Sequence, residues 1–274
     1  MYLDIAWIKE KLSNAEEHIK RKLPSMYHQF KQLADLDITK EPMEVGPTTH
    51  YVMGGVRVDA DSQMSTIPGL FAAGECASGI NGANRLGGNS LSDLIVFGKR
   101  AGEYAAAWAR EHPQPRLDDG AVARAQKVAL DPFERGAGGE NPYLVQQDLQ
   151  VTMQNLVGIV RIEAEMQQAL EKIAELSARA ARVGVCGRRD YHSGWHTALD
   201  LRNLLAVSEA VALSALERRE SRGGHFRDDY PEKREEFSKI NIMVKQVGGA
   251  MKVSRVPLPP IPPELQQVIE EQKA

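Results

Sequence analysis

Residues 67–94 read IPGLFAAGECASGINGANRLGGNSLSDL, and this stretch decides the fold. Residues 69–75 have the apolar, small-residue composition of a short buried strand. A glycine-rich turn follows at 79–90, and an apolar helical period then runs from Leu91 to about Arg110. A strand, a glycine turn and a helix in this order predict one unit of an α/β sheet.

The end of this predicted strand is the first candidate ligand site. Glu75 directly follows the strand, and Asn89 or Ser90 is the expected N-cap of the helix. Open α/β sheets bind ligands beyond the carboxyl ends of their strands, close to helix N-termini with unpaired N–H groups. We therefore expect an anionic or hydroxylated ligand here. Glycines that only form turns are the alternative interpretation, and the phosphate-binding pattern G-x-G-x-x-G is absent from the sequence.

Composition excludes several classes of function. The 274 residues carry 34 Lys and Arg against 37 Asp and Glu, a net charge of -3, which gives no electrostatic basis for nucleic-acid binding. No apolar run reaches the roughly 18 residues of a membrane helix, and the opening residues lack the pattern of a secretory signal. The two cysteines lie far apart without metal-ligand spacing. These features predict a cytoplasmic protein with no metal site.

The second half of the chain has mostly helical periodicity. A proline-containing linker is expected at 112–120, and a long helical pattern at 143–183 is expected to break near Val157 and Gly158. A further helix is predicted from Trp195 to Arg222, so three segments indicate a helical bundle. Weak alternation from Ile240 to Val256, around two glycines, predicts a hairpin before a proline-rich tail.

Four motifs resemble one known family. They are EPMEVGPTTHYVMGG at 41–55, IPGLFAAGE at 67–75, GANRLGGNSLSDL at 82–94 and ESRGGHFRDDYP at 220–231. In order and spacing they resemble the flavoprotein subunit of succinate dehydrogenase and fumarate reductase. The resemblance covers essentially the whole chain but only the C-terminal portion of the family's chain. The family's N-terminal dinucleotide-binding fold, its flavin-attaching histidine and most of its capping domain have no counterpart in this sequence.

The resemblance implies a fold and a domain order. The fold class is expected to be α+β, with a partial FAD-binding α/β sheet domain, a three-helix bundle and a small C-terminal hairpin region. The expected domains are the end of the capping domain at 1–50, the C-terminal part of the FAD-binding domain at 51–111, the helical bundle at 112–232 and the C-terminal region with its proline-rich tail at 233–274.

The resemblance also implies which residues bind substrate and cofactor. His50 and Arg85 are expected to bind the dicarboxylate, because a histidine donor and a planar arginine fork match two carboxyl groups. Glu75 is expected to hold the ribityl chain of FAD, and Ser90 and Leu91 to contact its isoalloxazine ring. The proton-transferring arginine of the family corresponds to a position before Met1, so no catalytic residue is assigned within this chain.

The resemblance implies a respiratory enzyme of the tricarboxylic acid cycle. Succinate and fumarate would be its substrates, and electrons would pass from FAD through an iron-sulfur subunit to quinone at a membrane anchor. The chain would then lie peripherally on the inner face of the cell membrane.

Two alternatives remain open. The chain alone could be a truncated, non-catalytic module that serves for subunit association. The related L-aspartate oxidase is the other, although Leu86, Gly87 and Gly88 follow Arg85 where a Met-Ala-Ser-like stretch is expected in that enzyme. Adenylylsulfate reductase is disfavoured because the motifs around His50 and Arg85 match the dicarboxylate group. Asn81 departs from the family pattern, in which a histidine often precedes this motif.

Overall fold

The computed structural model describes residues 1–114 and 116–272. It contains two compact units, Met1–His50 and Tyr51–Ala274. The α-helices of the described residues are α1 Ala15–Lys22, α2 Pro24–Ala34, α3 Asn89–Glu111, α4 Asp119–Arg135, α5 Pro142–Leu156, α6 Glu163–Ala180, α7 Ser193–Glu217, α8 Glu235–Ser238 and α9 Pro263–Glu271. The strands are β1 Tyr2–Leu3, β2 Met43–Glu44, β3 Val56–Arg57, β4 Ala77–Ser78, β5 Val160–Arg161, β6 Phe226–Arg227, β7 Ile240–Val247 and β8 Ala250–Pro257.

The first unit has a small core of its own. Ile19, Ile38 and Met43 are buried together, and partly buried side chains of α2 pack against them. β1 and β2 pair antiparallel through Leu3 and Met43. His50 is the last residue of this unit and is exposed.

The main core of the second unit lies between α5, α6 and α7, which we call the helical core. Its fully buried residues recur at helical spacing, as an apolar stripe on each helix requires, and they include Val145, Leu149, Met166, Ala169, Ile173, Leu176, Leu201, Leu205 and Ala212. The predicted break at Val157 and Gly158 is confirmed, since α5 ends at Leu156 and α6 begins at Glu163. A Cβ at Gly158 would lie 2.4 Å from the Gln154 carbonyl oxygen, so only glycine fits this corner.

The C-terminal hairpin is also confirmed. β7 and β8 pair antiparallel from Ile240 with Pro257 to Val247 with Ala250. Gly248 and Gly249 form the turn with φ values of 61° and 84°, as a two-residue turn with two left-handed positions requires. α9 follows the proline-rich stretch, where the sequence indicated only a polyproline-like tail.

One expectation about local structure was wrong, and the end of a second was misplaced by two residues. Residues 69–75 do not form a buried strand: Leu70 is exposed, and Phe71 makes only an isolated bridge to Met64. A strand needs a neighbour along its length, but this stretch pairs only briefly: Leu70 accepts from the Ser65 N–H, and the Ala72 N–H donates to the Gln63 carbonyl. The expected linker at 112–120 overlaps α4, which begins at Asp119, because Asp118 caps it by accepting from the backbone N–H groups of Gly120 and Ala121. Residue 115 of that linker lies outside the described residues.

The mixed helix and strand composition of the predicted fold class is confirmed. The assignment of domains at 1–50, 51–111, 112–232 and 233–274 stays a prediction, and its last two residues lie outside the described residues. In the described ranges 1–114 and 116–272, no helix is both long enough and apolar enough to cross a membrane.

Candidate functional site

The glycine-rich turn leads directly into α3 in the second unit. Gly88 is the N-cap of α3, with φ 84°, and no side chain of the described residues caps the helix start. The expectation that Asn89 or Ser90 would be the cap was wrong, because the helix begins at Asn89 and both side chains lie inside its first turn. α3 therefore presents its positive end without a side-chain acceptor. This is the place where an electron-rich group of a ligand is best stabilised.

Glu75 lies in a short 3₁₀ helix, Gly74–Cys76, that packs against α3. Gly74 has φ 75°, a backbone conformation that favours glycine, and a Cβ there would lie 2.5 Å from Leu94 Cδ2 on α3. The Glu75 carboxylate is exposed, and its Oε1 accepts a hydrogen bond of 3.0 Å from the Val52 backbone N–H. Residues 51–52 and the carboxylate are thereby held together.

Arg85 is half-buried and lies over an aromatic ring. Its Cζ is 4.6 Å from the centre of the Tyr51 ring, and its Nη1 donates to the Leu86 carbonyl at 3.3 Å. Its Nε is buried and has no hydrogen-bond partner among residues 1–114 and 116–272. A guanidinium with one buried donor left over is suited to binding a carboxylate.

A cluster of charged side chains surrounds Tyr51 and consists of Glu75, Arg85 and Asp93. Desolvation raises the pKa of the Tyr51 phenol, the Asp93 and Glu75 carboxylates raise it further, and Arg85 opposes them. Asp93 on α3 is 4% exposed, and neither carboxylate oxygen has a hydrogen-bond partner within the part of the chain that the structure describes. A buried carboxylate without a donor is unusual in a folded protein, because burying an unpaired charge costs free energy.

The structure places the predicted site residues in both units. Glu75, Arg85, Ser90 and Leu91 belong to the second unit, where Ser90 is half-buried and Leu91 is 67% exposed at the start of α3. His50 belongs to the first unit. The pairing of His50 with Arg85 around one dicarboxylate stays a prediction, as do the roles of Glu75, Ser90 and Leu91.

Sequence reasoning missed two members of the cluster. Tyr51 is the residue after His50, and its signal was an aromatic side chain inside a recognised motif. Asp93 was detectable as a charged residue between Leu91 and Leu94 on the apolar side of a helix. Neither signal identifies the partner residue, because Tyr51 and Arg85 are 34 positions apart.

Comparison with known proteins agrees with the motifs. The sequence model for the fumarate reductase flavoprotein C-terminal family matches residues 146–268, and the FAD binding domain model matches residues 4–91. The succinate dehydrogenase flavoprotein subunit of Coxiella burnetii is 39% identical over 234 residues, 80% of this chain and 39% of the relative. The chain belongs to the succinate dehydrogenase and fumarate reductase flavoprotein family.

Other relatives and solved structures give the same result. The fumarate reductase flavoprotein subunit of Escherichia coli is 38% identical over 84% of this chain and 37% of its own length. The structure of Mycobacterium smegmatis Sdh1 in complex with UQ1 matches 94% of this chain and 44% of that chain, with a TM-score of 0.82 and 51% identity. An E. coli quinol fumarate reductase structure matches 96% of this chain and 45% of that chain, with a TM-score of 0.81 and 32% identity. The chain spans about two fifths of the length of the curated relatives it matches.

The site fits FAD, the cofactor of this flavoprotein family. At Gly79, Gly82, Gly87 and Gly88, no described atom lies within 4 Å of where a side chain would begin, so a flat ring can approach the backbone closely. The uncapped start of α3 matches the electron-rich edge of an isoalloxazine ring. The exposed Glu75 carboxylate can accept hydrogen bonds from ribityl hydroxyls.

Proposed function

We propose that the chain is part of a flavoprotein subunit that interconverts succinate and fumarate with bound FAD. The observation that carries this proposal is the Arg85 guanidinium, which is stacked on Tyr51 and keeps its Nε unpartnered within the described residues, on the loop that leads into α3. Family membership supports it, because relatives from several organisms are named as succinate dehydrogenase or fumarate reductase flavoprotein subunits.

The residues that would hold FAD lie on both sides of the glycine turn. Glu75 would accept hydrogen bonds from the ribityl chain, while Ser90 and Leu91 at the start of α3 would contact the isoalloxazine ring. When bound, FAD supplies the acceptor for the hydride that leaves succinate. The positive end of α3 favours negative charge at the ring edge, which would raise the reduction potential of the site.

Substrate binding would rest on two residues of this chain. The Arg85 fork would bind one carboxylate through parallel N–H donors, and the Tyr51 ring, 4.6 Å from Cζ, would support the guanidinium. His50 would donate a hydrogen bond to the second carboxylate and so orient the carbon–carbon bond. Holding both ends of a four-carbon dicarboxylate in one orientation is the main contribution of such residues to the rate.

The electron path beyond FAD follows the assemblies of the relatives. Sdh1 of M. smegmatis was solved in complex with UQ1, and another similar structure is a quinol-fumarate reductase with menaquinol molecules. By analogy, electrons would pass from FAD through an iron-sulfur subunit to quinone at a membrane anchor. The chain would then be peripheral to the inner face of the cell membrane and would act in the tricarboxylic acid cycle.

The experiment that tests this function compares two arginine-to-lysine variants of the flavoprotein purified with its native partners. Arg85→Lys keeps the charge but loses the fork, so succinate-dependent dye reduction should fall roughly 100-fold in kcat/KM. Flavin absorbance per mole of protein should stay unchanged. Arg100→Lys is the matched control, because Arg100 also lies over a ring, 5.6 Å from that of Phe97, but on the exposed side of α3.

Three other outcomes would contradict the proposal in different ways. Loss of flavin in Arg85→Lys would make this residue a cofactor or structural residue. A wild-type protein that binds no FAD and reduces no dye would support the non-catalytic association module. Faster oxidation of L-aspartate than of succinate would identify an L-aspartate oxidase.

A further inference from the structure

The loop that carries Arg85 is contacted by a turn after the helical core. The Gly224 backbone N–H donates to the Ala83 carbonyl at 2.9 Å. Gly223 has φ 60°, and a Cβ at this residue would lie 2.3 Å from the Ala83 carbonyl oxygen and 2.5 Å from its carbon. The two backbones therefore meet with no space for a side chain, two residues before Arg85. We call this the Ala83 contact.

The turn that contains Gly223 and Gly224, at residues 222–225, is itself fixed by an ionic network around the buried Glu220. Arg222 donates to Glu220 through Nε at 2.8 Å and Nη2 at 3.0 Å, and its backbone N–H donates to the His225 carbonyl at 2.8 Å. Glu220 is 0% exposed and also accepts from the backbone N–H of Arg234 at 2.9 Å. The turn therefore has little freedom to move away from Ala83.

A second set of bonds joins this turn to the helices. His225 Nδ1 lies 2.9 Å from Arg161 Nη1, and His225 Nε2 lies 2.9 Å from the Arg218 carbonyl oxygen. Because the carbonyl can only accept, Nε2 carries the proton and Nδ1 accepts from the guanidinium. Arg161 lies in β5, after α5, and Arg218 is the C-cap residue of α7. The position of the turn is thus set by the helical core.

We propose that Gly223 is a positioning residue for Arg85, because its lack of a side chain lets the turn hold the backbone of the Arg85 loop at Ala83. This inference rests on the proposed function, because it assigns Arg85 to substrate binding. The helical core then has a role in the reaction without touching substrate: it fixes where the guanidinium lies relative to FAD. A displacement of about 1 Å in such a group is enough to lower the rate by orders of magnitude.

The test uses the flavoprotein with its full native chain and bound FAD. Gly223→Ala should displace the Arg85 loop, raise KM for succinate about tenfold or more, and leave the flavin content unchanged. Amide hydrogen exchange in residues 82–88 should become faster. A protein that is only destabilised would lose folded material without a change in KM.

Two alanine variants isolate the effect of the contact. Gly248→Ala has the same left-handed strain, with φ 61°, but apart from its chain neighbours no described residue has an atom within 4 Å of the new Cβ. Gly224→Ala is the sequence neighbour, and its Cβ would meet the Ala83 oxygen at an ordinary 3.7 Å. Both should keep KM within about twofold of the wild type, because neither displaces Ala83.

A milder variant is available if Gly223→Ala does not accumulate as folded protein. The buried Ser221 hydroxyl accepts from the Arg227 backbone N–H at 2.8 Å and donates to the Tyr230 carbonyl at 3.0 Å. Ser221→Ala loosens the same turn without adding atoms. We expect a rise in KM of about threefold and faster exchange at 82–88.

The outcomes separate this inference from the proposed function. Unchanged exchange at 82–88 in Gly223→Ala, or faster exchange with an unchanged KM, overturns the positioning role. A wild-type enzyme without dicarboxylate activity overturns the proposed function, and with it the positioning of a substrate ligand. In that case the amide hydrogen exchange at residues 82–88 still decides whether the Ala83 contact holds the loop that carries Arg85.

Discussion

The helical part of the second unit and the site region at residues 51–94 use arginine in opposite ways. Arg227 is 0% exposed, and all its donor nitrogens have acceptors: Asp229 accepts from Nε and Nη2 at 2.7 Å, and the Ala215 and Leu216 carbonyls accept from Nη1. Arg85 keeps a buried Nε without a partner in the described part of the chain. The first arginine completes a fold, whereas the second is the one that we propose binds a ligand.

The same contrast holds for apolar side chains. The helical core buries twelve residues in one cluster. In the site region, Leu91, Leu94 and Ile95 on α3 are 67%, 52% and 74% exposed. Burial of apolar surface is the main stabilising contribution in folding, so the stability of the second unit must come chiefly from the helical core. A site region that is less packed is free to adapt its shape to a cofactor and a substrate.

The largest expected effect comes from replacing Arg227, whose donor nitrogens all have acceptors. Arg227→Met removes both guanidinium donors to Asp229, which keeps the hydrogen bond from the Glu163 backbone N–H, and removes the donor to the Ala215 and Leu216 carbonyls. It should lower the free energy of unfolding by about 4 kcal/mol. Arg219→Met is the control, because Arg219 is half-exposed and lies 3.8 Å from Glu163; its loss should cost less than about 0.5 kcal/mol. Urea denaturation of both variants measures the difference. A loss below about 1 kcal/mol in Arg227→Met would mean that Arg227 does not hold the end of α7.

A smaller effect on stability is expected from pH, through His225 in the turn at residues 222–225. The pKa of His225 is lowered from 6.5 to about 4, chiefly by burial and also by the nearby Arg161, Arg218 and Arg227, while the hydrogen bond to the Arg218 carbonyl opposes the shift. Between these two values the unfolded chain binds a proton that the folded chain does not. Stability is therefore lost as the pH falls from 6.5 to about 4, by about 3 kcal/mol in total.

The pH dependence can be assigned by variants. Urea midpoints measured from pH 7 to pH 4 should fall steeply in the wild type and only weakly in His225→Gln. His196→Gln, at an exposed position on α7, should keep the steep fall. Burial alone would raise the pKa of Glu220, but hydrogen bonds from Arg222, the Arg234 backbone and Arg218 lower it to about 2. Its contribution is lost as the pH falls from about 4.5 to 2, below the window of His225. A steep fall that survives in His225→Gln would assign it to another group.

The helical part of the second unit was more predictable from the sequence than the site region. The break after Leu156 follows from a local signal, Val157-Gly158, and the hairpin follows from Gly248-Gly249 between alternating residues. α4 was missed because its Asp118 cap lies next to two prolines, which favoured a linker. These features depend on neighbours in the sequence, which is why periodicity and punctuation were informative.

The site region was less predictable because its contacts are not local. The stretch 69–75 has strand composition, yet strand formation depends on a partner that no local pattern specifies. Family motifs identified Arg85 and Glu75 as candidates, but not the stacking of Arg85 on Tyr51 or the contact of Gly223 with Ala83. That contact joins residues 140 positions apart, and only the three-dimensional arrangement reveals it.

The smallest effect is expected where the site region is most exposed. Leu91→Ala should change the free energy of unfolding of the FAD-free protein by less than about 0.5 kcal/mol, because its side chain is largely exposed. Met166→Ala, at 0% exposure in the helical core, should cost about 3 kcal/mol by the same measurement. Flavin fluorescence titration should show weaker FAD binding in Leu91→Ala and unchanged binding in any Met166→Ala protein that is folded. The two variants would then separate folding from cofactor binding. Equal destabilisation by both would mean that α3 is packed as firmly as the helical core, and the exposed face of α3 would no longer indicate a binding region.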